Sequence, residues 1–200
     1  MAKRLFDLLF SGGALLLLCP LLLLIAAWVK LGSDGPVFFR QIRVGLHGRL
    51  FSIYKFRTMY MDAERRGLQI TVGTDPRITS QGHFLRKYKL DELPQLINVL
   101  LGHMSIVGPR PEVPRYMDEY APEVRAKILS VRPGITDRAS IEFKDENMIL
   151  ACSTDPHQTY IEEILPIKQK YYLKYVSHHT LTDDLTIIFH TAKAIITRRP

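Results

Sequence analysis

Cysteine is nearly missing from this chain of 200 residues: there are two, Cys19 and Cys152, and the first lies inside an apolar run. A disulfide framework is therefore not indicated, and a reducing, cytosol-facing domain is the simple expectation. Metal-site spacing is missing too. His178 and His179 are adjacent rather than one helical turn apart, with no further His or Cys at helical or finger spacing, so a zinc site is not expected. No internal repeat, low-complexity tract or nucleic-acid-binding motif is present, and nucleic acid is not an expected partner. The excess of positive charge, 27 Lys and Arg against 20 Asp and Glu, then points to an acidic membrane surface or to phosphorylated substrates. Charge of either sign is absent from residues 8–29.

That uncharged run, LLFSGGALLLLCPLLLLIAAWV, is long enough for a helix to reach across a hydrocarbon core of about 30 Å. Pro20 sits at its middle, where it removes one helical hydrogen bond and kinks the axis, so that the segment can enter the bilayer and turn back. Lys3 and Arg4 precede the run and Lys30, Arg40 and Arg43 follow it, which draws both ends to the cytoplasmic side. A spanning helix with a tolerated central proline fits the residues equally well. A cleaved signal peptide fits less well, because the apolar run is long and no small-residue cleavage site follows.

Beyond the apolar run, a hydrophobic content of 46% supports one compact domain. Val37–Phe39 and Leu50–Tyr54 are short β-branched or aromatic stretches around a turn at Gly45–Gly48, which predicts a β-hairpin. Arg40, Arg43 and Arg49 are expected to meet lipid phosphates and carry no catalytic assignment. Lys55 and Arg57 alternate with Tyr54 and Phe56, so on a strand both cations share one face and together can grip a diphosphate. Residues 60–83 read as a polar helix and then a loop. Val124, Ile128 and Val131 predict a packed helix, and Ile161 to Tyr175 another, broken near Pro166. Asp184 to Ile196 predicts a last one with Leu185, Ile188, Phe189, Ala192 and Ile196 on one face and Lys193, Arg198 and Arg199 near its end. Such a helix can lie on a bilayer, though packing on the domain is the commoner outcome.

The densest chemistry lies in FLRKYKLDELPQLINVLLGHMSIVGPRP, residues 84–111. Leu93, Leu96, Ile97 and Leu100 keep the spacing of one helix face, Pro94 suits the first turn and Gly102 the end, so a helix is predicted to begin at or just before Asp91 and Glu92. A helix start favours ionised carboxylates, and an ionised carboxylate is a potential nucleophile. These two acids alone also fit an N-cap and a first-turn acid. The surrounding cations, Arg86, Lys87, Lys89 and Arg110, favour a phosphate site.

Residues 75–111, with IYKFRTM at 53–59 and VRPGIT at 131–136, resemble the bacterial sugar transferases, the monotopic polyprenyl-phosphate phosphoglycosyl transferases. The resemblance implies an α+β, mostly helical fold with a membrane-embedded, re-entrant helix at 1–32 and a cytoplasmic catalytic domain at 33–200, at the bacterial inner membrane. It implies transfer of a phosphosugar from a nucleoside diphosphate sugar, expected to be a UDP-sugar, to polyprenyl phosphate in a membrane rich in lipid partners. Asp91 corresponds to the nucleophile that forms an aspartyl-phosphosugar, and Glu92 to an acid/base or second-substrate residue. Lys55, Arg57, Arg86, Arg110 and Arg132 are the expected phosphate contacts, and Mg²⁺ the expected cofactor with Asp91 as its contact. Residues 136–153 depart from the family pattern, where Lys144 or Arg138 stands near a late arginine of relatives. The rival from another class is a non-catalytic membrane adaptor of a glycan-assembly complex, against which the retained acid pair argues.

Overall fold

Residues 2–63, 75–143 and 146–197 are described by the computed structural model, and the first of them form one helix, α1 (Ala2–Gly32), 31 residues long. It is long and apolar enough to cross a membrane, and little of it is buried. The helix continues through Pro20, so the proline removes one backbone donor without dividing the segment. Large apolar side chains on its outer side, including Leu16, Leu17, Leu23 and Leu24, are exposed. Its inner stripe is tied to the remainder of the chain at both ends. Near the start, the Arg4 guanidinium donates to the carbonyls of Val99 (2.7 Å) and Leu100 (3.2 Å). Asp7, 2% exposed, accepts from Ser105 Oγ at 3.0 Å and the Ile106 amide at 3.1 Å. Near the end, Ile25 and Val29 pack with Phe56 and Leu85. Both ends of the apolar segment therefore rest on one body.

Strands β1 (Phe38–Val44) and β2 (Leu50–Phe56) form the expected antiparallel hairpin, with Phe39 opposite Lys55 and Val44 opposite Leu50. The free edge of β2 would strand backbone polar groups, and a side chain satisfies them. Asn98, fully buried, donates to the Ser52 carbonyl (2.8 Å) and accepts from the Tyr54 amide (2.9 Å). Asn98 belongs to α3 (Gln95–Leu100), which follows α2 (Ser80–Lys87). This clasp fixes the hairpin against α3, with Phe51, Ile53, Leu96 and Val99 packed between them.

A second, parallel pair joins β3 (Ser105–Val107) to β4 (Gly134–Thr136), across the short helices α4 (Pro114–Met117) and α5 (Pro122–Ile128). The two chains cross so closely that a Cβ on Gly134 would lie 2.1 Å from the Gly108 amide nitrogen. Glycine is the residue that permits this approach. The crossing pins the loop that carries Arg110, with the Gly134 amide donating to the Pro109 carbonyl at 2.9 Å.

Helices α6 (Arg138–Glu142), α7 (Glu146–Ala151), α8 (Pro156–Thr159) and α9 (Leu165–Ser177) close the other side. A π-turn at Tyr160–Ile164 joins α8 to α9, and the helical path runs on through Pro166 in the first turn of α9, so the break expected near Pro166 is only a change of helix type before it. Their core contains Val113, Tyr116, Met117, Ile128, Leu165 and Tyr172. Val131 lies beyond α5 rather than on it. The last helix, α10 (Leu181–Ile196), starts at a capping box between Thr180 and Asp183. It presents Asp184 and Ile187 inward and leaves Leu185, Phe189 and Ile196 49%, 67% and 83% exposed. Its apolar residues are thus divided: Ile187 and Ile188 pack on the domain, while Leu185, Phe189 and Ile196 point away from it. Lys144, Arg198 and Arg199, and the polar helix expected early in 60–83 where it falls on 64–74, lie outside the described residues.

Candidate active site

Asp91 and Glu92 do not head α3. They lie in a single 3₁₀ turn, Leu90–Glu92, that precedes it, and Pro94 occupies the N-cap position. The reversal from α2 into this turn is made by Lys89, in the left-handed region at φ 56°. That conformation costs a non-glycine residue about 1–2 kcal/mol. It delivers both acids, 7% and 8% exposed, to the wall of an open cavity of 1910 Å³.

The two carboxylates have different surroundings. Glu92 is committed to cations: its Oε1 lies 2.7 Å from Lys55 Nζ and 2.5 Å from Arg110 Nη2. Asp91 Oδ1 is buried with no hydrogen-bond partner among the described residues. Burial, and then the charge of Glu92, push the Asp91 carboxyl up, more than Lys55, Lys89 and Arg86 pull it down. Burial acts the same way on Glu92, yet Arg110, Lys55 and Lys89 outweigh it and hold that carboxyl well below the usual range. Helix-start stabilisation of an ionised Asp91, expected from the sequence, is therefore replaced by desolvation that makes Asp91 the more basic acid of the pair. Two neighbouring carboxylates whose proton affinities are driven apart are suited to two different tasks.

Lys55 and Arg110 reach this pair from the end of β2 and from the loop after β3. Burial pushes the Lys55 ammonium down to about 8 against the pull of Glu92, whereas Glu92 pushes the Arg110 guanidinium up. Arg86 arrives from the last turn of α2 and donates Nε to Thr58 Oγ1 at 2.9 Å. This approach depends on Gly82, where a Cβ would meet the Thr58 carbonyl oxygen at 2.1 Å. Arg86 lines the cavity with the acids and with Lys87 and Lys89.

Two expected phosphate contacts are used elsewhere. Arg57 follows β2, is 4% exposed, and donates to the carbonyls of Val29, Ser33 and Asp34 and to Ser33 Oγ at the end of α1. It borders the cavity, but its two terminal nitrogens anchor the membrane-type helix. Arg132 donates Nε to the Gly102 carbonyl at 2.9 Å, where α3 ends, and is not on the cavity wall. Arg138 is exposed at the start of α6.

Four wall residues were not expected at the site from the sequence. Arg43, expected at a lipid surface, turns instead into the cavity, with Nη1 on the Pro111 carbonyl (2.9 Å) and Nη2 on Gln41 (2.6 Å). Arg40 and Arg49 are exposed, Arg40 over the Tyr54 ring at 5.1 Å. Glu112, Tyr160 and Lys168 also line the cavity. The available signals were faint: an acid two residues beyond Arg110, and a Tyr and a Lys eight apart in one helical stretch.

A metal cage is not built into this wall. Among the described residues no group of three or more His, Cys, Asp and Glu is arranged to hold an ion. Mg²⁺ commonly binds through one or two carboxylates together with substrate phosphates. The spare oxygen of Asp91, beside a Glu92 already neutralised by two cations, fits that sparse donor set.

A family model described as bacterial sugar transferase matches residues 1–198. Three relatives match nearly the whole chain. A UDP-N-acetylgalactosamine-undecaprenyl-phosphate N-acetylgalactosaminephosphotransferase of Aeromonas hydrophila is 38% identical over 197 residues, covering 98% of this chain and 44% of the relative. A UDP-glucose:undecaprenyl-phosphate glucose-1-phosphate transferase of Klebsiella pneumoniae is 39% identical over 193 residues, 94% of this chain and 39% of the relative. The exopolysaccharide production protein PSS of Rhizobium leguminosarum bv. phaseoli is 39% identical over 203 residues, 98% of this chain and 96% of the relative. The chain thus spans less than half the length of the first two and almost all of the third.

Proposed function

This chain belongs to the bacterial sugar transferase family, and from that membership we propose that it transfers a phosphosugar from a UDP-sugar to polyprenyl phosphate through a covalent intermediate on Asp91. The observation that carries this reading is the buried, unpartnered Asp91 Oδ1 beside a Glu92 held by Lys55 and Arg110. A carboxylate kept from hydrogen bonds retains its lone pairs for attack, and desolvation strengthens it as a nucleophile. In the first half-reaction an Asp91 oxygen bonds to the β-phosphorus and the bond to the α-phosphate oxygen breaks, which releases UMP. In the second, an oxygen of polyprenyl phosphate bonds to the same phosphorus and Asp91 leaves, which yields polyprenyl diphosphosugar. Lys55, Arg86 and Arg110 bind the diphosphate oxygens and offset the charge that otherwise repels the attacking carboxylate. Glu92 holds Lys55 and Arg110 in position between the two steps. Asp91 would hold Mg²⁺, which would supply further neutralisation of the diphosphate.

The membrane helps to organise the second substrate. Exposed leucines of α1 and the exposed Leu185, Phe189 and Ile196 of α10 form a lipid-facing surface at the cytoplasmic side of the bacterial inner membrane. Both ends of α1 dock on one domain, which keeps both on the cytoplasmic side. The cavity is bordered between these helices by Ala14 and Leu18 of α1 and Ile188, Ala192 and Ile195 of α10. This apolar side is the route by which an isoprenoid chain brings its phosphate to Asp91.

The experiment that tests the reaction is UMP release from a panel of UDP-sugars by detergent-solubilised protein. Sustained release is expected with polyprenyl phosphate and at most one UMP per protein without it. No release from any donor would refute the assignment.

A pH profile follows from the paired charges. Asp91 must be ionised to attack, so its raised proton affinity puts the acid limb of donor kcat/KM above the range of an ordinary aspartate. Lys55 must be protonated to hold phosphate, so the basic limb falls near its value of about 8. Lys55→Arg, whose charge persists beyond pH 12, removes that basic limb while the acid limb stays. A limb that remains near 8 in this variant assigns it to another group.

A further inference from the structure

The cavity continues past the phosphate-binding cations into a region of different character. Glu112, Tyr160 and Lys168 are 5%, 3% and 4% exposed, yet all three stand on the cavity wall with Glu146. They form one connected chain. Lys168 Nζ pairs with Glu146 Oε2 at 2.6 Å and lies 3.5 Å from the Tyr160 hydroxyl, which donates to Glu112 Oε1 at 2.9 Å. Replacing such a largely buried charged network by apolar residues is often neutral or stabilising, so its place on the wall of the cavity that also holds Asp91 and Glu92 points to a ligand.

We propose that this chain of Glu112, Tyr160, Lys168 and Glu146 is the pocket for the sugar ring of the donor and selects among sugars by their hydroxyl pattern. The inference rests on the UDP-sugar reading above. Glu112 is two residues beyond Arg110, and two residues of extended chain reach about 7 Å at most. In the donor the sugar is attached directly to the β-phosphate, so a phosphate held by Arg110 leaves its ring within reach of Glu112. Two carboxylates repel phosphate but accept well from hydroxyl groups, while the Lys168 ammonium, with three N–H donors, donates to ring substituents and the Tyr160 hydroxyl, its proton on Glu112, holds that carboxylate in position. A uracil ring would instead seek an aromatic face to stack on. The Tyr160 ring does not offer one freely, since Lys168 Nζ lies 4.9 Å from its centroid and the Tyr116 ring packs at 4.7 Å and 52°.

Binding measured in the full-length Asp91→Asn background, which halts chemistry, tests the pocket separately from catalysis. UDP and a panel of UDP-sugars that differ in single hydroxyl or N-acetyl groups are compared with and without Glu112→Gln, Lys168→Met or Tyr160→Phe. The expected result is a loss of about tenfold or more in the preference for the best UDP-sugar over its epimers, because a charge-assisted hydrogen bond is removed, with UDP affinity unchanged within about twofold. Tyr160→Phe keeps the ring and its packing, so it supplies the result should Glu112→Gln fail to fold. An unchanged preference in the folded variants overturns the proposal, and so does a parallel fall in UDP affinity, which would assign the region to the nucleotide. Hydroxyl-selective binding by a protein that transfers no phosphosugar would uphold the pocket and refute the transferase reading. Absence of UDP-sugar binding would refute both.

Discussion

Asp91→Asn is expected to lower turnover by about three orders of magnitude or more, the scale of loss when a covalent nucleophile is removed. The amide keeps the size of the side chain but is a poor nucleophile. Stability gives a second, independent expectation. The folded-state proton affinity of Asp91 is raised by burial and by Glu92, so folding favours its neutral form. That preference is fully present below the unfolded carboxylate range and is lost as pH rises through the folded value. At neutral pH the ionised wild-type side chain is therefore the less favourable occupant, and Asp91→Asn is expected to melt at the same temperature or higher. Loss of turnover with stability retained identifies Asp91 as chemical rather than structural. Near-normal turnover would leave it a metal-binding role only.

Arg110→Ala is expected to reduce kcat/KM for the donor by about 10²–10³, because a preorganised cation facing the transferring phosphoryl group is lost. Glu92 would then keep Lys55 as its one ion-pair partner and lose its largest source of charge compensation. Arg110→Lys is expected to recover only part of the loss, since an ammonium supplies a point charge without the planar two-pronged donor set. Membrane association is expected to be unchanged in both variants, because Arg110 lies on the loop after β3, away from the exposed faces of α1 and α10. Wild-type kinetics in Arg110→Ala would remove it from the site.

What the sequence revealed and what it concealed follow a physical division. Local patterns were legible: the uncharged run of α1, the aromatic and β-branched hairpin strands, and the periodicity of α10. The acids were also found, but their helix start was read one turn early, because a proline that suits a first turn also suits an N-cap. Arg57 looked like a partner of Lys55 on a strand face. Its terminal nitrogens are instead taken by carbonyls 23 to 28 residues earlier in the chain, a contact that no local pattern records. The same holds for Asn98 on β2, for Asp7 on β3, and for Glu112 beneath Tyr160. The amphipathic face of α10 was visible, but periodicity does not say which side is wet. In α10 the stripe is split, with Ile187 and Ile188 packed on the core and Leu185, Phe189 and Ile196 exposed.

The central claim is that Asp91 carries the phosphosugar between donor and acceptor. Its most direct test is to give the purified protein a sugar-labelled donor without polyprenyl phosphate and map the label to a peptide. The account predicts label on the peptide containing Asp91, discharged on addition of polyprenyl phosphate and absent from Asp91→Asn. Unlabelled protein, together with UMP release that begins only when both substrates are present, would contradict it and leave direct attack by the lipid phosphate as the route.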